Sequence, residues 1–147
     1  MLAVDIKPVM ARKMSCGCAV VMMVLAAANR QLQLADVKRR LGEEAVGGAL
    51  TVGGLASFLR DERLGGVEGT FPAEPETLRR AVQNGPVVAM VRVDKVERLH
   101  FVLLTAVTST GVVEIRCPRD GRRRAHFDAV RKSSAGPVIF SSLESRS

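Results

Sequence analysis

The sequence predicts an α+β fold, with helices first and an antiparallel sheet after them. Three observations carry this expectation. Residues 16–29 are apolar almost all round, which is the pattern of a buried central helix. Three further segments with helical spacing follow before residue 86. Beyond it the texture changes to apolar, β-branched runs separated by tight turns.

Taken in order, residues 3–9 read as a short extended arm ending at Pro8. The central helix carries Ala19, Val20, Val21, Met22, Met23, Val24 and Leu25, and at this length a strand is disfavoured. Leu34, Val37, Lys38 and Leu41 recur at helical spacing, with Gly42 as the stop. Thr51 is a capping residue for a third helix carrying Leu55, Phe58 and Leu59. Pro75 and Glu76 open a fourth, with Leu78, Ala81 and Val82 on its apolar face and Asn84-Gly85 at its end. Residues 86–93, 99–107 and 112–116 are three strands, with turns at 109–111 and 118–121. A helical turn at 127–131 and a last strand at 137–140 complete the reading.

The chain has 147 residues, enough to bury a core as a single domain spanning 1–147. Hydrophobic residues make up 47% and charged residues 25%, which excludes intrinsic disorder as the default state. The longest apolar run, Ala19 to Ala28, is ten residues, too short to span a bilayer. Residues 1–28 have a basic-then-apolar order, but Met14-Ser-Cys-Gly-Cys interrupts it and Asn29-Arg30-Gln31 offers no small-residue cleavage site. The expectation is a retained segment and a cytoplasmic protein. Three cysteines, an odd number, argue against a disulfide framework. With no CxxC and two histidines the chain is poorly supplied for zinc, so neither a metal nor a cofactor is expected.

The net charge of +7 is uneven: residues 116–147 hold eight basic and three acidic residues. A basic third could meet nucleic acid, an anionic membrane or an acidic peptide, or be a solvated face. The chain has no Trp or Tyr and five Phe, which disfavours a base-stacking surface and with it nucleic acid.

Two residues stand out for chemistry. Cys16 opens the buried helix, where the positive end of the helix dipole favours thiolate and the first-turn amides can hold an oxyanion. Gly17 after it keeps the approach to the sulfur open. The competing reading is a small buried core thiol. His100 lies near the start of the second strand, where alternation places His100, Val102 and Leu104 on one face and Phe101 and Leu103 on the other. It is a base if that face meets the helix bearing Cys16, and a satisfied core histidine otherwise. His126, in Arg-Arg-Ala-His-Phe, reads as a surface residue.

These segments also carry a resemblance. Ser15-Cys-Gly-Cys-Ala-Val-Val-Met-Met-Val-Leu25 resembles the nucleophile motif of the papain-like bacterial cysteine peptidases that cut double-glycine leaders. Those are the peptidase domains of bacteriocin- and lanthipeptide-exporting transporters and their stand-alone relatives. Leu99-His-Phe-Val-Leu103 is similar to the family's His strand. Val112-Val-Glu-Ile-Arg-Cys-Pro-Arg-Asp-Gly121 resembles the strand and turn that follow, and Phe127 to Phe140 the closing element.

The resemblance implies a papain-like α+β fold, with Cys16 as nucleophile on the helical half and His100 as base on the sheet half. It implies a cleft between them and a peptide or protein substrate cut after two small residues. The basic third of the chain would suit an acidic leader peptide, and an exporter or an immunity-like partner would complete the setting. Two positions depart from the family. Its Gln six residues before the nucleophile is Met10 here, and Met cannot donate to an oxyanion. The Asp that orients the catalytic His is Cys117 here, before Pro118. Loss of an oxyanion donor costs about 10²–10³ in rate, and loss of an orienting carboxylate roughly 10⁴ in the serine triad. Arg12 or Lys13 are candidates to replace the donor, and Asp120 or Glu114 to replace the orienter; Glu114 alternates to the face opposite Cys117. The alternatives to a peptidase are therefore a degenerate domain that binds a peptide without cutting it, and a thiol-dependent effector toxin or deamidase on the same fold.

Overall fold

The computed structural model describes residues 5–11, 14–42, 50–92 and 99–143. Its helices are α1 (Cys16–Ala27), α2 (Leu34–Leu41), α3 (Val52–Asp61), α4 (Pro75–Asn84) and α5 (Phe127–Ser133). Its strands are β1 (Gly65–Gly69), β2 (Val87–Arg92), β3 (Leu99–Val107), β4 (Val112–Cys117), β5 (Gly121–His126) and β6 (Val138–Ser141). The strands form one sheet in the order β1-β6-β2-β3-β4-β5, and every neighbouring pair is antiparallel. The α+β expectation holds.

Local chemistry sets the helix bounds. Ser15 caps α1, its hydroxyl accepting from the Cys18 amide at 3.1 Å. Gly42, with φ +73°, ends α2 in the left-handed conformation that glycine adopts without strain. Thr51 caps α3 by accepting from the Gly54 amide at 3.0 Å. Pro75 stands in the first turn of α4, where its missing N–H costs nothing.

The sheet divides the interior into two apolar layers. On one face α1, α2 and α3 pack through Val20, Val24, Leu25, Val37, Leu55 and Leu59 against Val88, Phe101, Leu103 and Ile139. On the other, α4 and α5 bring Leu78, Phe127 and Val130 against Val87, Ala89, Val102, Leu104, Val113 and Ile115. α1 is buried on nearly every side, as its composition requires. The β3 alternation is as expected, with Val102 and Leu104 in one layer and Phe101 and Leu103 in the other.

Two strands were not expected. β1 is Gly-Gly-Val-Glu-Gly, where three glycines and a glutamate outweigh the single strand-former Val67, and its ladder to β6 supplies the order. β5 carries Arg122, Arg123 and Arg124 at the opposite edge, where charge blunts pairing with other chains. Arg12, Lys13 and Val93 lie outside the described residues, as do the first residues of the expected arm.

The arm is held to the sheet rather than to the helices alone. Arg116, 5% exposed, donates from Nε to the Ile6 carbonyl at 2.5 Å and from Nη2 to Asp5 at 3.4 Å. Arg122 grips the same carboxylate with two bonds, at 2.9 and 3.1 Å. The Ala11 amide donates to the Pro118 carbonyl at 2.9 Å. Met10 therefore passes alongside the exit of β4.

Candidate active site

The site is built where the start of α1 meets the start of β3. The cap at Ser15 takes the Cys18 amide, which leaves the Cys16 and Gly17 amides of the first turn without intrahelical acceptors. Cys16 is half-buried, and its Sγ accepts a hydrogen bond from the Phe101 amide at 3.4 Å. That amide belongs to the peptide unit that joins His100 to Phe101.

Gly17 has a role beyond leaving the sulfur open. A Cβ there would stand 2.9 Å from Leu50 Cδ1 and 3.3 Å from Phe101 Cδ2. Its lack of a side chain lets α1 approach β3 closely enough for the sulfur to reach the strand.

On the other side of β3, His100 is half-buried, with Nε2 in hydrogen-bond contact with Cys117 Sγ at 3.4 Å. Cys117 is fully buried at the end of β4. Its sulfur also points to Asp120 Oδ2, 3.8 Å away. Asp120 sits in the turn after β4 and forms an ion pair with Arg123 at 3.3 Å.

Burial pushes the His100 pKa below the ordinary imidazole value of 6.5, because removing water disfavours the cation. The Arg119 charge pushes the same way, Asp120 opposes it, and Arg123 adds to the lowering. The ring is therefore held neutral more firmly than a free imidazole.

Of the sequence-predicted residues, His100 and Cys117 are in contact, and Cys16 reaches the backbone beside His100. The His100 face of β3 carries α4 and α5, while α1 packs on the Phe101 face, so the condition set from alternation, that the His100 face meet the helix bearing Cys16, is not met; Cys16 approaches His100 through the strand backbone at Phe101 instead. Asp120 stands near His100 in space, whereas Glu114 pairs with Arg124 at 3.8 Å. His126 is exposed and caps α5 by accepting from the Asp128 amide at 3.3 Å. Cys18 is a fully buried core thiol.

Sequence reasoning missed the cations around His100. Arg92 and Arg123 line a cavity of about 250 Å³ together with His100 and Cys117. Reading β5 as a strand would have placed Arg123 and Ala125 on the Cys117 face. Among the described residues, no group of three or more His, Cys, Asp or Glu side chains is arranged to hold a metal ion. Nor is any helix among them long and apolar enough to cross a membrane.

No family model matches the sequence, and no curated protein matches it. Solved structures do match the fold. One is a double-glycine motif protease from an AMS/PCAT transporter in complex with the leader peptide. It is 22% identical with a TM-score of 0.65, and the alignment covers 92% of this chain and 91% of that one. Another is the peptidase domain of Streptococcus ComA, a bifunctional ABC transporter involved in a quorum-sensing pathway. It is 16% identical with a TM-score of 0.69, covering 94% of this chain and 98% of that one. The chain thus has the papain-like α+β fold of the double-glycine peptidase domains, the fold to which its Cys16 and His100 segments had pointed.

Proposed function

We propose that the chain is a single cysteine peptidase domain that cuts a peptide after a double-glycine-type site. One observation carries the reading: a thiol at the start of a buried helix lies against the peptide unit of the strand histidine, whose ring contacts the residue at the orienting position. The solved complex of a similar fold with a leader peptide supports a peptide substrate.

In this reading His100 takes the proton of Cys16, and the sulfur attacks the scissile carbonyl carbon. The oxyanion is held by the Cys16 amide. The C–N bond breaks as His100 protonates the leaving amine, and water then hydrolyses the thioester with His100 as base. In this reading a groove narrow at Cys16 would admit Gly-Gly and reject larger side chains. Cytoplasmic placement beside an exporter suits such a role.

A second reading, a peptide binder that does not cut, is favoured by Cys117 itself. A thiol accepts weakly from an imidazolium, and burial already disfavours that cation in His100. Met10 adds to this by offering no oxyanion donor. Incubation with chloroacetamide and with a Gly-Gly leader peptide separates the two. Rapid stoichiometric labelling of Cys16 that is lost in His100→Ala, together with cleavage, supports the peptidase. Peptide binding with slow labelling and no cleavage supports the binder.

A further inference from the structure

The two contacts of the Cys117 sulfur have directions that the chemistry of its partners fixes. Sγ lies 3.4 Å from His100 Nε2 and 3.8 Å from Asp120 Oδ2. A thiol has one proton to give and accepts weakly through its lone pairs, whereas a carboxylate such as Asp120, paired with Arg123, only accepts. The S–H therefore donates to Asp120. If it turned to the imidazole instead, the carboxylate would face a sulfur lone pair with no proton between them. Once Asp120 has the thiol proton, the contact with His100 is a hydrogen bond only if the ring donates from Nε2. A neutral imidazole has a single N–H, so Nδ1 is then bare. Among the described residues no hydrogen bond joins Asp120 to the ring, so its hold on His100 runs through the sulfur.

We propose that Asp120 is a positioning residue that acts through Cys117: it takes the thiol proton, the sulfur accepts from Nε2–H, and His100 is held in the tautomer whose free nitrogen is Nδ1. The proposal deepens the peptidase reading and rests on it in one respect, that Nδ1 is the atom that receives the Cys16 proton. The relay stands in for a carboxylate touching the ring, and the intervening sulfur makes it weaker. The charge of Asp120 acts in the same sense. It favours the imidazolium, against burial and the charges of Arg119 and Arg123. Around the ring, Arg92 of β2 lines the same cavity as Arg123 of β5. α5 faces that cavity with Ala129, Val130 and Ser133, which carry no charge, and α4 contributes no residue to it. Cys16, bonded to the Phe101 amide, is the thiol on the far side of the strand. Asp120 is the one carboxylate among these groups.

The test reads the imidazole directly, by long-range proton–nitrogen correlation in the full chain carrying isotope-labelled histidine. The signals of His126 are assigned by their loss in His126→Gln. Above the ordinary imidazole range the wild type should show a proton on Nε2 and none on Nδ1. Asp120→Ala frees the S–H to turn to Nε2, so the ring should pass wholly or partly to the Nδ1–H tautomer, although residue 120 does not bond to it. Asp120→Asn keeps an acceptor oxygen and loses the charge. It should keep the Nε2–H tautomer while the His100 titration midpoint falls by roughly half a pH unit. Cys117→Ser, whose hydroxyl donates and accepts as the thiol does, should also keep the tautomer. Nδ1–H in the wild type would overturn the proposal. So would an Nε2–H ring unmoved in Asp120→Ala, which would leave Asp120 a residue of the turn. Asp120 is exposed, and the amide spectrum of each variant reports whether the fold is kept. Should the alanine variant not fold, the wild-type tautomer and the Asp120→Asn midpoint still decide the matter. Cleavage of a Gly-Gly leader peptide is scored separately. The expected tautomer without cleavage removes only the peptidase reading, and cleavage with the opposite tautomer removes only the relay.

Discussion

Cys117 Sγ lies 3.4 Å from His100 Nε2. In the proposed peptidase reading this contact stands at the orienting position, with a thiol in place of a carboxylate. A thiol would stabilise an imidazolium less than a carboxylate, so in that reading the contact holds the ring in place without making it a stronger base.

Cys117→Asp should supply that charge. An opposite charge in contact raises an imidazole pKa by about 1–3 units, against the lowering imposed by burial and Arg119. The Cys16 alkylation profile should move to lower pH, with the rate at neutral pH rising about tenfold. Turnover of a Gly-Gly leader peptide should increase further in Met10→Gln/Cys117→Asp, where the oxyanion gains a donor. Alkylation rate against pH for the wild type and both variants checks this. A profile that does not move in a folded Cys117→Asp chain would remove Cys117 from the orienting position.

His100 also predicts a pH dependence of stability. Its folded pKa lies below 6.5, so on acidification the unfolded chain takes up this proton first. Stability attached to the neutral ring is therefore complete above the ordinary imidazole range and is lost as pH falls through it. Denaturation midpoints of the wild type and His100→Gln, measured from pH 5 to 8, should converge toward acid and diverge toward neutral, with the wild type the more pH-sensitive. Parallel curves would mean that burial does not depress this histidine.

Two glycines should respond in opposite directions. Gly66 has φ +86°, and a Cβ there would stand 2.3 Å from the Ala56 carbonyl oxygen. Gly66→Ala should cost on the order of 3 kcal/mol, through strain and the forced separation of α3 from β1. Gly53, in the first turn of α3, has open space around its Cβ position. Gly53→Ala should stabilise by about 0.5 kcal/mol, because the unfolded chain loses freedom at no steric cost. Urea midpoints of the two variants decide the matter.

Arg116→Met keeps apolar bulk and removes the bonds to Ile6 and Asp5. It should cost about 2 kcal/mol, the scale of hydrogen bonds from a charged donor. Thermolysin should then cut before Ile6 faster than in the wild type while the rest of the chain stays resistant. Unchanged cleavage before Ile6 would show that the arm is held without Arg116.

Much of this architecture was legible because the strong patterns are local. The apolar run after Cys16, the caps at Thr51 and Pro75, and the stop at Gly42 each act within one turn of helix. The alternation in β3 put His100 and Phe101 on opposite faces, where the structure has them. β1 and β5 were not legible, because their order comes from partners distant in sequence: Glu68 pairs with Ile139, and Arg123 with Ile115. The setting of the site depended on the same kind of contact. Spacing shows that Cys16 begins a helix, but only the packing of Gly17 against Leu50 and Phe101 brings its sulfur to β3. The internal pairing of Arg122 with Asp5 and Arg124 with Glu114 was likewise invisible in a run of like charges.

The ties at Asp5, Ile6 and Ala11 define a load path. Tension applied upstream of Asp5 is borne in part by Arg116 and Arg122, which pass it into β4 and β5, and in part by the packing of Ile6 and Val9 on the α1 layer. A fusion or tether joined ahead of Asp5 would therefore tug on the sheet at Arg116, next to Cys117, as well as on the helix that begins at Cys16.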